Sequence, residues 1–162
     1  VVLSGIDTTE ALTVAGQKKK EGKNVWGVPY DYVGACQSAP DVCLGVPYFN
    51  WGPAYVGFVK AAMNKTWKPE WVWLGPDWKD INNPDSSIVG FIPGAALPAG
   101  AKPELDKFIK DLGSGTVNLF KGPLNYQDGK VFVKAGETAS DKQIWHMEQL
   151  LQGMQGQSSA KK

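Results

Sequence analysis

The sequence predicts an α/β fold: a parallel sheet flanked by helices. Two observations carry this. Over the first 63 residues the chain runs strand, helix, strand, loop, strand, helix, the order of crossover units that join parallel strands. The strand-like stretches are also continuous apolar runs, as in strands covered on both faces.

"VVLSGI" (1–6) is the first such run. "DTTEALTVAGQKKKEG" follows as a helix. Asp7 or Thr8 can cap it, with Glu10 in capping-box spacing to Asp7. Ala11, Leu12 and Ala15 form its apolar stripe, Lys18 to Lys20 suit its negative end, and Gly22 stops it. "VWGVP" (25–29) reads as a second strand, "YDYVGACQSAPD" (30–41) as a loop, and "VCLGVPYF" (42–49) as a third strand. An amphipathic helix then begins at Pro53. The Trp- and Pro-rich stretch 66–87 holds a short strand around Trp71 to Leu74 and a long loop. "IVGFIPG" (88–94) is another buried strand. Pro103 opens a helix with Leu105, Phe108, Ile109 and Leu112 as its stripe and Gly113 as its end. Asp128-Gly129 between two extended runs signals a hairpin. Ser140 and Gln143 stand in capping-box spacing at the head of a last helix, "SDKQIWHMEQLLQGM", and the polar tail 155–162 is expected to fray. No internal repeat or linker divides the chain.

The balance of 17 basic against 16 acidic residues argues against a general electrostatic grip on nucleic acid or membrane. Every basic residue is Lys, so bidentate Arg clamps on carboxylate or phosphate are absent from this chain. No apolar run is long enough to span a membrane. The chain opens without Met in a strand-like run, which reads as a fragment of a longer protein. Cys36 and Cys43 are spaced to close a small loop as a disulfide, worth about 2–3 kcal/mol, or to stand as two free thiols. With no neighbouring His or second Cys pair, they do not read as a zinc site.

Seven Trp residues exceed what a core of this size needs, and surplus Trp often marks surfaces that stack on flat ligands. In parallel α/β sheets, ligands lie beyond the carboxyl ends of the strands. Three polar or aromatic stretches fall at those ends: Asp7-Thr8-Thr9, Tyr30-Asp31-Tyr32 and Asn50-Trp51-Gly52. Each has a plain alternative: helix capping for the first, a turn residue for Asp31, a hydrophobic staple for Trp51. Enzyme chemistry is hard to assemble. The one His, His146, sits between Trp145 and Met147 and reads as a surface or packing residue. No phosphate-binding GxGxxG, HExxH or CxxC pattern occurs.

At "FNWGPAYVGFVKAAMNKTWK" (49–68) the chain resembles the substrate-binding proteins of the basic membrane protein (Bmp, or PnrA-like) family of ABC importers. That family carries a similar Asn-Trp-Gly-Pro before a helix and a similar Thr-Trp-Lys turn. "GIDTTEALTVAG" resembles its acidic-Ser/Thr cluster opening a helix, and "VWGVPYDYV" its Gly-hydrophobic-x-Asp strand end. "KGPLNYQDGKVFV" and the residues after it are similar to its Gly-Pro-x-x-x-Gln-Asp-Gly stretch and closing helix. "LGPDWKDINNPDSS" is longer than the family's usual turn here, which adds an aromatic, Trp78, near the cleft.

The resemblance implies a type I periplasmic-binding-protein-like fold: two lobes joined by a hinge, closing on a small solute. Residues 1–162 would be its carboxyl-terminal portion, mostly one Rossmann-like lobe plus segments that cross back, with the amino-terminal lobe absent. It also implies export, often with a lipid anchor, to the periplasmic or extracellular face of the membrane. The partners would be an ABC permease and a small solute, purine nucleoside or nucleobase in characterised relatives, with no cofactor, metal or nucleic acid. Asp7, Thr8, Thr9, Asp31, Asn50 and Trp51 are the expected ligand contacts, joined by Trp78. Three other readings stay open. The same fold could serve a signalling system as its sensor. A small α/β enzyme acting on nucleosides would have Asp31 or Asp77 as its acid or base. A carbohydrate-binding module would suit the Trp content but not the helices.

Overall fold

The computed structural model describes residues 1–157; the end of the tail expected to fray, 158–162, lies outside the described residues. The chain divides into two compact units, Val1–Asp106 and a second beginning at Lys107, with the boundary inside a helix and not in a linker.

In the first unit, β1 (Val2–Leu3) pairs in parallel with β2 (Gly27–Val28). Single parallel bridges, Gly27 to Cys43 and Asp31 to Tyr48, carry the pairing on to β3 (Gly45–Phe49). Antiparallel β4 (Val89–Pro93) closes the other side of β3. The class is therefore α/β, with a parallel ladder of two strands where a larger sheet was expected. β1 also departs from expectation: it is two residues long, and its apolar run is exposed, Leu3 by 73 %.

α1 (Glu10–Lys20) supports this sheet. Leu12 and Ala15 of its expected stripe are buried, and they form the core with Val42 and Cys43; Val25, Cys36 and Ala39 pack around them. Gly16 is tolerated mid-helix because a methyl there would approach the Ala39 side chain to 2.9 Å. A disulfide joins Cys36 to Cys43, resolving the open choice at that pair and stapling the loop to the core. Lys19 lies 3.5 Å over the Trp26 ring, and Gly22, with φ of +80°, ends the helix region as expected. The amino-terminal cap differs from expectation. Thr9 holds the cap position with no side-chain bond, so Asp7 and Glu10 form no capping box.

α2 (Gly52–Met63) begins one residue before Pro53, with Trp51 as its cap. No residue of α2 is buried. Residues 71–74, where a strand was expected, form neither helix nor strand. The aromatic and branched residues there supply strand propensity, but propensity alone does not build a ladder.

α3 (Lys102–Ser114) runs past Gly113, and Gly115 with φ of +73° takes the stop instead. Its surface carries Lys102–Asp106 and Lys107–Asp111 pairs at helical spacing.

The second unit centres on the expected hairpin, β5 (Leu124–Asn125) against β6 (Val131–Val133), turned at Gly129 with φ of +85°. Its Gln-Asp-Gly stretch is a clasp. Asp128 accepts from the Lys130 backbone N–H (3.0 Å), the Gln149 amide (3.0 Å) and the Lys130 ammonium (2.9 Å). The Gln127 amide donates to the Met154 carbonyl at 2.8 Å. The Gln149 amide first, then Lys130, hold the Asp128 carboxyl down to about 2, and Asp128 in turn raises the Lys130 ammonium. The expected capping box forms in full between Ser140 and Gln143, but α4 (Asp141–Trp145) stops at His146. Backbone bonds explain the early stop: Gln152 N–H donates to the Asn125 carbonyl and Gln127 N–H to the Leu150 carbonyl, drawing 150–152 onto the hairpin.

Candidate functional site

Ligands in parallel α/β sheets lie at the carboxyl ends of strands because loops leave there and backbone groups stay unpaired. In the first unit two adjoining hollows occupy that edge. One, about 410 Å³, is lined by Asp7, Thr8 and Thr9 beyond β1 and by Tyr30, Asp31 and Tyr32 beyond β2. The other, about 300 Å³, is lined by Asp31 and Tyr32 again, by Tyr48 and Phe49 of β3, by Asn50 and Trp51, and by Asn82 and Pro84. Asp31 and Tyr32 form the wall they share. Six of the seven residues picked from the sequence thus fall along one edge. The seventh, Trp78, lines neither hollow and is exposed.

Asp31 has a firmly fixed backbone. Its φ is +75°, a region where Asp is among the few side chains tolerated. β3 holds it there: Asp31 N–H donates to the Pro47 carbonyl, and Phe49 N–H donates to the Asp31 carbonyl, both at 3.0 Å. Its carboxylate takes no hydrogen bond or ion pair among the described residues. A half-buried acceptor with an immobilised backbone and unspent oxygens suits recognition of ligand N–H or O–H groups. The uncapped start of α1 offers the same kind of capacity, since the Thr9 hydroxyl is not committed to the helix. Ser4, just after β1, is buried with its hydroxyl unpartnered among the described residues.

Trp51 is 52 % exposed, so the indole on the lip between strand and helix is not core. It stands in a row of rings. Tyr30 meets Phe49 edge-on with centroids 5.6 Å apart, Phe49 leans on Trp51 at 5.4 Å, and Tyr55 lies nearly parallel to Trp51 at 6.3 Å. Such bracing fixes an indole at low entropic cost and leaves its remaining surface for a flat partner.

Asn50 divides its functions. Its amide donates to the Pro84 carbonyl at 2.8 Å and the Ser87 carbonyl at 2.9 Å, which uses both amide hydrogens. Only its side-chain oxygen remains for a ligand. The same loop is tied down again by Asn82, which accepts from Phe91 N–H and the Tyr48 hydroxyl and donates to the Phe91 carbonyl. Ser87, buried, accepts from Asp77 N–H and donates to the Val89 carbonyl. The Ser86 hydroxyl, followed by the Lys79 backbone N–H, lowers the Asp77 carboxyl. Asp77 is therefore engaged in shaping the loop. Sequence reading placed Tyr32 at this edge without naming it a contact, and missed Tyr48, Asn82 and Pro84 as lining residues. Tyr32 was accessible from its place beside Asp31, whereas Asn82 reaches the site through long-range bonds that no local pattern announces.

Elsewhere, a hollow of about 500 Å³ in the second unit is lined by Tyr126, Ser140, Lys142, His146 and neighbours, and His146 is exposed, as its sequence context indicated. No cluster of metal-ligating side chains occurs among the described residues, and no described helix is long and apolar enough to cross a membrane.

No protein-family model matches the chain. It is similar to a purine-binding protein of Brucella abortus, 29 % identical over 147 residues. The match covers 91 % of this chain and 38 % of that relative, so the chain spans about two fifths of the length of the curated protein it matches.

Proposed function

We propose that this chain is part of an extracytoplasmic solute-binding protein that presents a purine nucleoside or nucleobase to an ABC permease. The observation that carries the reading is the shared edge: an exposed, braced indole at Trp51 and an uncommitted carboxylate at Asp31 on the walls of adjoining hollows. A purine presents a flat aromatic face and, at its edge, N–H donors beside ring-nitrogen acceptors; Trp51 matches the face and the Asp31 carboxylate matches the N–H donors. The similarity to a protein named for purine binding supports the same ligand class.

In this reading Trp51 stacks on the base. Asp31 accepts from ring or sugar donors, the Asn50 oxygen accepts a further bond, and Asp7, Thr8 and Thr9 hold the polar end of the solute. Trp78 is a peripheral aromatic on the approach to the cleft. A second lobe of a type I periplasmic-binding-protein-like fold, contributed by polypeptide outside residues 1–162, closes over the ligand and excludes water. The action is binding and release without covalent chemistry, at the outer face of the membrane to which a lipid anchor would hold the protein. Calorimetric titration of the longer protein with purine nucleosides and nucleobases tests it. Heats that saturate at one site per molecule are expected; no heat across the panel would remove the purine assignment.

A further inference from the structure

We propose that α2 and the segment after it form the surface on which that second lobe docks, an inference that rests on the two-lobe part of the reading above. α2 is twelve residues long, carries one charged side chain, Lys60, and buries nothing. At about 100° per residue, Tyr55, Val56, Val59 and Met63 fall within one arc of about 100°. Phe58, Lys60 and smaller residues take the rest of the circumference. This is the apolar stripe of a core-facing helix, yet Val59 is 59 % and Met63 77 % exposed. Beside it, Phe58, Trp67 and Val72 line an open groove of about 650 Å³.

A stripe of this kind needs a cover, and its chemistry calls for an apolar face, not a charged one. Two occupants are conceivable. A second copy would pair one patch with its equivalent. The bare apolar run of β1 would then still need its own cover. A second lobe of the same polypeptide can cover both, and more than three fifths of the similar Brucella protein lies outside the matched stretch. The occupant is therefore the remaining part of the longer polypeptide, folded as a lobe with an apolar face.

Amide hydrogen exchange on the natural protein tests this without any ligand. Its intact mass is expected well above 17.5 kDa; a mass equal to that of residues 1–162 overturns the proposal. In the longer protein the α2 amides are expected to exchange about a hundredfold more slowly than in the 162-residue chain. Val59→Asp in the longer protein should return α2 to rapid exchange while Leu12 and Ala15 stay protected; should that variant not fold, Val59→Thr supplies a milder version with the same ordering. Rapid exchange of α2 in both forms overturns the proposal. So does protection in a dilute monomer of the 162-residue chain, which would mean the cover lies within it. Protection that rises with concentration together with a dimer mass assigns the stripe to a second copy instead. If purines give no heat but α2 is protected in the longer protein, the ligand assignment fails and the docking surface stands.

Discussion

Asp31 and Asp128 are both turn carboxylates, but they spend their oxygens differently. Asp128 is saturated: the Gln149 amide, the Lys130 ammonium and the Lys130 N–H all converge on it, and the result is a clasp that closes a hairpin. Asp31 has its backbone pinned from both sides by β3 while its carboxylate meets no protein partner among the described residues. A carboxylate that completes a fold is used up by it. One that is held in an uncommon backbone conformation and left unused has capacity for something outside the chain. Asn50 lies between the two, with donors committed and an acceptor to spare.

The sharpest way to break this contrast is at Asn50. In Asn50→Asp a carboxylate replaces the amide opposite the carbonyls of Pro84 and Ser87, so both bonds are lost and oxygen faces oxygen. A cost of about 2–3 kcal/mol is expected, seen as a thermal midpoint lower by about 5–10 °C. An unchanged midpoint would mean that the loop from 77 to 87 is held without Asn50.

Asp31→Asn separates recognition from folding. Asn tolerates positive φ as well as Asp does, so the midpoint should stay within about 1 °C of the parent. Loss of a charge-assisted bond worth about 1.5–3 kcal/mol would weaken purine binding by about 10- to 100-fold in calorimetry. A large fall in stability with little change in affinity would reverse the assignment and make Asp31 a second Asp128. Trp51→Ala is the next step down. The residue caps α2 without a side-chain bond, so the helix start is not at stake. A loss of about tenfold in affinity is expected from one stacking contact, and parent-like affinity would remove the indole from the site.

In the amino-terminal third, α1 and the loops at the strand ends were legible because they are signalled locally. Leu12 and Ala15 lie at helical spacing, Gly22 takes a positive φ, and Asp7, Asp31 and Trp51 follow apolar runs, so the edge could be placed from the strand order. The hairpin at Asp128-Gly129 and the cap at Ser140 were legible for the same reason. What failed depends on distant partners. The last helix was expected to reach 154, but the hairpin takes residues 150–152 by backbone bonds that periodicity cannot foresee. The "WVWL" stretch and β1 have strand-like composition, yet the first forms no strand and the second only two residues. Composition records what a segment buries in the molecule where it evolved, and α2 and β1 carry apolar surface that this chain leaves exposed. Asn82 was invisible because its function comes from bonds to Tyr48 and Phe91, far from any motif.

The smallest effect tests the saturated member of the pair. The folded Asp128 carboxyl is held at about 2 against an ordinary value of 3.8. A folded value below the unfolded one means the clasp stabilises the hairpin fully above the ordinary carboxylate range. That contribution is lost as pH falls through the window from about 4 to about 2. For Lys130 the sign is opposite: its raised value gives stability present below the ordinary ammonium range and lost only in strong alkali. Asp128→Asn keeps an acceptor for the Lys130 N–H but removes the charge. Thermal midpoints of parent and variant should therefore draw together as pH falls to 2 and separate by no more than a few degrees at pH 5, the parent being higher. The gap should narrow in 1 M salt, where screening falls to about 3 Å and the exposed ion pair fades while the Gln149 bond persists. Parallel curves from pH 2 to 5 would show that the Asp128 charge is idle, and the distinction between a spent and an unspent carboxylate would then have to rest on Asp31 alone.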